Sequence, residues 1–343
     1  MFLNALAVSQ ASSLASHRKQ KIEEGKSINI KDDLSKQGWC AVEIPPQTGK
    51  LVVVTGAASG LGYEIALALA QGCADVIVAG RNEARGREAA GRIRLLAPRA
   101  LVRFEKLDLA ELESVNAFAR RLVTAGRPLD LLVNNAGVMA LPKRRVTADG
   151  FEMQLGTNYL GHFALTGLLL PLLRLSRRPR VVQVSSLAHR FGKIHFDNLH
   201  GERKYRPWSA YSQSKLAALL FAGELQRRSD ANGWGLLSSA VHPGYAQTNL
   251  VANGPGGRSV LSLLNRSVGR MVSQSAADGA QPALFAAVSA SAQPGGFYGP
   301  GGLFELGGSP RVARASSQAR DRAVARRLWQ VAEELTGVVW PVE

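Results

Sequence analysis

From Lys50 onward the chain alternates between two textures, and that alternation constrains the fold more than any other feature. Short apolar runs rich in β-branched residues recur as LVVVTG (51–56), DVIVAG (75–80), VRFEKLDL (102–109), LDLLVNNAG (129–137), RVVQVSS (180–186) and GLLSSAVHPG (235–244), and each reads as a strand. Between them stand segments with helical spacing: 61–72 with Gly72 as a stop, 83–96 closed by Pro98, 112–126, about 150–174, and a helix after the fifth strand that contains AYSQSK. Strands and helices in alternation imply right-handed βαβ crossovers and a parallel, doubly wound sheet. The expectation is an α/β fold in a single domain over 39–343, with about seven strands flanked by helices. Helical signals near 276–290 and 316–336 continue the same unit. The apolar, glycine-punctuated segment 249–273 lies between sheet and tail and reads as a mobile substrate cover.

The first 38 residues differ from this pattern. They hold Lys19, Lys21, Lys26, Lys31 and Lys36, five of the eleven lysines, whereas arginine dominates downstream. This shift marks an appended N-terminal extension, expected to be poorly ordered and dispensable. The start has an apolar beginning but no basic flank and only a short apolar core, so it makes a poor signal peptide. No run approaches the roughly 20 apolar residues of a membrane-spanning helix. Cys40 and Cys73 stand alone, which argues against a disulfide framework and for a reducing, cytoplasmic setting. The formal charge of +16 is spread in ones and twos, as at Arg120-Arg121 and Arg227-Arg228, which fits a solvated basic surface and not a nucleic-acid arm.

TGAASGLG (55–62) closes the first strand and opens the first helix. Gly56, Gly60 and Gly62 allow a tight turn and a close backbone approach to a pyrophosphate seated on the helix N-terminus, with Ser59 and Leu61 in the same turn. With this G-x-x-x-G-x-G spacing the chain resembles the short-chain dehydrogenase/reductase family. NNAG (134–137), NYLGHF (158–163), VSS (184–186), YSQSK (211–215) and HPG (242–244) support the resemblance in order. The wording GFEMQLGTNYLGHFAL and VSSLAHRFGKIHFDNL is closest to its retinol-dehydrogenase-like branch. The resemblance implies a Rossmann fold and a nicotinamide cofactor. By the same resemblance Asp108 and Leu109 flank the adenine, Asn135, Ala136 and Gly137 line the cofactor, and Pro243, Gly244 and Thr248 contact its nicotinamide end. At the end of the second strand Gly80 stands where NAD enzymes place an acid, and Arg81 follows. A carboxylate would repel a 2′-phosphate and a guanidinium would bind it, so NADP(H) is expected, with NAD(H) as the alternative.

Tyr211 and Lys215 are four apart, hence one turn apart on a helix face. A tyrosine can donate a proton to a carbonyl oxygen, and a nearby ammonium favours its phenolate. Lys215 is therefore expected to lower the Tyr211 pKa, and in the family such a lysine also holds the ribose. The family pattern makes Ser186, and not Ser185, the group that hydrogen-bonds the substrate oxygen, and gives Asn158 a water-holding place in a proton relay. His189, His195 and His200 lack a metal-ligand pattern and read as surface or substrate-loop residues. A serine hydrolase is excluded by the missing G-x-S-x-G elbow. The leading expectation is an NADP(H)-dependent oxidoreductase for a hydrophobic aldehyde, ketone or secondary alcohol. A non-catalytic NADP(H)-binding sensor or scaffold is the alternative. The family's habit of forming dimers or tetramers leaves homo-oligomers open.

Overall fold

The computed structural model describes residues 39–244 and 275–341. The extension expected over 1–38, the cover expected over 249–273 and the contact assigned to Thr248 lie outside the described residues. Strands β1 (Leu51–Thr55), β2 (Asp75–Gly80), β3 (Val102–Lys106), β4 (Leu131–Asn134), β5 (Arg180–Val184), β6 (Leu237–Val241), β7 (Phe297–Pro300) and β8 (Pro310–Val312) form one sheet in the order β3-β2-β1-β4-β5-β6-β7-β8. Neighbours run parallel except for β7 and β8. Helices α1 (Gly60–Gln71), α2 (Glu83–Leu96), α3 (Leu112–Ala125), α4 (Gly161–Leu175), α5 (Pro207–Ala231), α6 (Ala276–Val288) and α7 (Arg322–Thr336) flank it. Every residue of β1 and β4 is buried, as expected where helices cover both faces of a parallel sheet. The chain leaves β1 in one direction through β2 and β3, then returns to β4 on the other side, so a crevice opens beyond the C-terminal ends of β1 and β4.

The strand ends fall short of the sequence expectation where chemistry takes over from pairing. β3 stops at Lys106, opposite Gly80, and the rest of KLDL becomes a turn in which Asp108 Oδ1 accepts the Ala110 amide at 3.0 Å. The last two strands arise from FYGP and PRV, whose glycines and prolines carry little strand propensity, so the sheet has eight strands instead of about seven.

The helix expected over 150–174 is interrupted. Glu152 accepts the amides of Gln154 at 3.0 Å and Leu155 at 2.8 Å, opening a short turn at Met153–Leu155. A π-helical stretch, Gly156–Leu160, then leads into α4. α5 begins with Pro207 in its first turn and lies between the sheet and α7. α7 sends Leu328 and Trp329 inward, where Trp329 meets Phe163, Phe221 and Trp340 at ring separations of 5.0, 5.7 and 4.7 Å. Among the described residues no helix is long and apolar enough to cross a membrane.

Candidate active site

The turn from β1 into α1 leaves amides free for an anion. Ser59 occupies the N-cap of α1 yet makes no side-chain cap bond, whereas Asn82 caps α2 by accepting the Arg85 amide. Gly56 has φ +67° and Gly60 φ +57°, conformations that favour glycine. A Cβ on Gly56 would lie 2.9 Å from Ala136 Cα, so the glycine lets β1 and the loop after β4 close on each other. Uncapped helix amides beside a glycine turn fit a pyrophosphate.

Thr55 ties this turn to the loop after β4. Its Oγ1 accepts the amides of Asn135 and Ala136, both at 2.9 Å, and Asn135 Nδ2 donates to the Thr55 carbonyl at 2.7 Å. Buried His162 lies behind them. Its Nδ1 is 3.2 Å from the Asn158 carbonyl, which can only accept, so Nδ1 carries the proton and bare Nε2 accepts from the Thr55 hydroxyl at 2.9 Å. Burial pushes the ring down to about 3, and it stays neutral. Asn158 sits in the π-helical stretch and braces the same loop: Oδ1 accepts the Val138 amide at 2.8 Å, while Nδ2 donates to Val138 O and Ser214 Oγ, each at 2.9 Å. A Cβ on Gly137 would come within 3.0 Å of Asn158 Oδ1 and 3.5 Å of Lys215 Nζ, so only a glycine-lined loop reaches this close to both.

The other end of the candidate site is assembled by β5 and α5. Ser185 spends its hydroxyl on the Lys215 carbonyl at 2.7 Å, pinning α5 to β5. Ser186 caps the short turn Leu187–Phe191 by accepting the Ala188 amide at 3.2 Å, and its hydroxyl also hydrogen-bonds the Tyr211 side chain. Lys215 Nζ donates to Val184 O at 3.0 Å and lies 5.9 Å from the centre of the Tyr211 ring. Burial pushes Lys215 down to about 8. Burial also raises Tyr211, where the spacing led us to expect a lowering, and the Ser186 hydrogen bond opposes that rise. The fold thus joins Ser186, Tyr211, Lys215 and Asn158 in one cluster, with Ser214 linking Asn158 to α5.

The remaining candidates divide. Arg81 is exposed just past β2, and a Cβ at Gly80 would meet nothing within 4 Å, so packing does not explain why a carboxylate is missing there. Asp108 is held by its turn, with its amide donating to Ser114 Oγ at 3.0 Å. The Leu109 side chain packs into the core, and its carbonyl lies 2.4 Å from where a Cβ on Gly161 would be. Pro243 and Gly244 follow β6, with Gly244 at φ +69°. His189, expected near the surface, is buried against Phe297. Thr55, His162 and Ser214 were missed as site residues: all three lie inside the motifs named above, but only their partners reveal a role.

The sequence profile of the short chain dehydrogenase family matches residues 50–255. The chain is 43% identical over 298 residues to polyprenol dehydrogenase of Mus musculus, covering 86% of each chain. It is 41% identical to retinol dehydrogenase 12 of Homo sapiens, covering 87% of this chain and 89% of the other. Among solved structures, an uncharacterised protein of Mycobacterium paratuberculosis aligns with a TM-score of 0.74 at 41% identity, over 89% of this chain and all of that one. A protein of Shigella flexneri described as a short chain dehydrogenase, complexed with NADP, aligns with a TM-score of 0.59 at 25% identity, over 74% of this chain and 98% of the other.

Proposed function

The chain belongs to the short-chain dehydrogenase family, on its retinol-dehydrogenase-like branch, and on that premise we propose that it is an NADP(H)-dependent oxidoreductase interconverting a hydrophobic alcohol and its aldehyde or ketone. The observation that carries this reading is the Tyr211 phenol, bonded to Ser186 with Lys215 beneath its ring. When bound, the nicotinamide supplies the hydride for reduction and accepts it in the reverse direction. In reduction Tyr211 donates its phenolic proton to the substrate oxygen, and in oxidation it takes that proton back. Ser186 donates a second hydrogen bond to the oxygen as negative charge gathers there. The Lys215 ammonium stabilises the phenolate left behind, and Asn158 holds the Val138 backbone and Ser214 around it.

Arg81 beside Gly80, which leaves out the carboxylate although a side chain would have room there, supports the 2′-phosphate form of the cofactor, as does the likeness to a structure complexed with NADP. The names of the polyprenol and retinol relatives, with the apolar residues of 249–273, support a hydrophobic substrate. The test is NADPH oxidation against a panel of hydrophobic aldehydes and ketones. Tyr211→Phe should lower kcat by about 10²–10⁴-fold while NADPH still binds. NADPH binding without turnover of any carbonyl would instead support the non-catalytic sensor.

A further inference from the structure

The loop after β7 carries two consecutive non-glycine residues in the left-handed region, Phe304 (φ 53°) and Glu305 (φ 60°). Such a conformation is disfavoured for residues that carry a side chain. Phe304 does not recover this by burial, since it is 73% exposed. The turn is held by the Glu305 carboxylate. Its Oε2 accepts from Arg190 Nη2 at 2.7 Å and lies 2.9 Å from His242 Nε2, while Oε1 accepts the Arg314 amide at 3.1 Å.

His242 is buried, and its two partners define its tautomer. The Gly244 amide lies 3.2 Å from Nδ1, so Nδ1 is the bare acceptor and Nε2–H donates to Glu305. A Cβ on Gly299 would fall on that ring, so the glycine makes room for it to reach the carboxylate. His189 packs on the same Phe297 ring as His242, at 5.3 Å against 5.4 Å. His189 Nδ1–H donates to the Ser186 carbonyl at 2.8 Å, and its Nε2 accepts the Ser316 amide at 3.4 Å. One carboxylate therefore stands behind two parts of the site. Arg190 belongs to the turn that Ser186 caps, and His242 immediately precedes Pro243 and Gly244.

We propose that Glu305 is a positioning residue of the active site: it fixes the His242 tautomer that holds the Gly244 amide and, through Arg190, anchors the turn that begins at Ser186. The proposal rests on the oxidoreductase reading for its kinetic part alone. Four variants test it: Glu305→Leu, Glu305→Gln, His242→Leu and the double variant that combines Glu305→Leu with His242→Leu. The measurements are the ¹⁵N spectrum of the His242 ring without cofactor, the NADPH dissociation constant, and kcat with KM. Glu305→Leu should move His242 away from the pure Nε2–H tautomer and weaken NADPH binding about tenfold. Glu305→Gln, whose amide oxygen still accepts from Nε2–H, should recover most of both losses. His242→Leu should weaken NADPH binding as much as Glu305→Leu, and the double variant should be no worse than either. An unchanged His242 spectrum in Glu305→Leu, unchanged NADPH binding in His242→Leu, or losses that add in the double variant would overturn the proposal. If the wild-type protein turns over no carbonyl, the oxidoreductase reading fails, while the spectrum and the NADPH affinities still decide the role of Glu305.

Discussion

At Lys215 burial sets chemistry against stability. The ammonium is enclosed and its pKa falls from 10.5 to about 8, below its value in an unfolded chain. The unfolded state therefore binds the proton more tightly, so this group's full penalty is present below about pH 8 and is relieved as pH climbs toward 10.5. Lys215→Met should abolish carbonyl reduction yet raise stability to urea at neutral pH, by about 1–3 kcal/mol. A urea midpoint that falls would contradict this. For Arg81→Asp, the NADPH KM should rise well above that for NADH, and an unchanged preference would remove the 2′-phosphate assignment. Tyr211 and Lys215 stood out by residue type and their spacing of four, whereas Ser186 came only from the resemblance to the family's pattern. The choice between the two serines became physical only in the fold, where Ser185 is committed to the Lys215 carbonyl and Ser186 faces the phenol.

At the scale of the element, the glycine turn shows how local sequence and distant packing meet. Gly56 needs its positive φ and also its missing Cβ, since a Cβ there would lie 2.9 Å from Ala136 Cα in the loop after β4. Gly56→Ala should cost about 1–3 kcal/mol in stability and weaken NADPH binding, measured by thermal unfolding and by titration. Wild-type affinity in that variant would show that the turn does not cradle the cofactor. Periodicity found the regular elements well: α2 spans Glu83–Leu96, the same residues read from its pattern and from Pro98 beyond it. It missed the π-helical stretch around Asn158, because that distortion is stabilised by Val138 and Ser214, neither of them nearby in sequence. It also missed β7 and β8, whose Gly and Pro residues hide a strand that forms only against an existing edge.

For the whole molecule, the aromatic group formed by α4, α5 and α7 with the segment after α7 joins the last helix to the body of the fold. Trp329 is 1% exposed, rings surround it, and the Arg228 guanidinium lies 4.3 Å from its centre. Trp329→Ala should lower the free energy of unfolding by about 3–5 kcal/mol, read from denaturant curves. A loss below about 1 kcal/mol would mean that α7 is a separable appendage. The sequence by itself determined the sheet of alternating strands and helices and the glycine turn between the first strand and the first helix. Those depend on periodicity and turn chemistry, which act over a few residues. Only the tertiary structure decided that Thr55 and His162, 107 positions apart, brace one loop, and that Glu305 reaches His242 across 63. Such partnerships depend on which surfaces the packed sheet brings together, and no short stretch of chain encodes both sides of them.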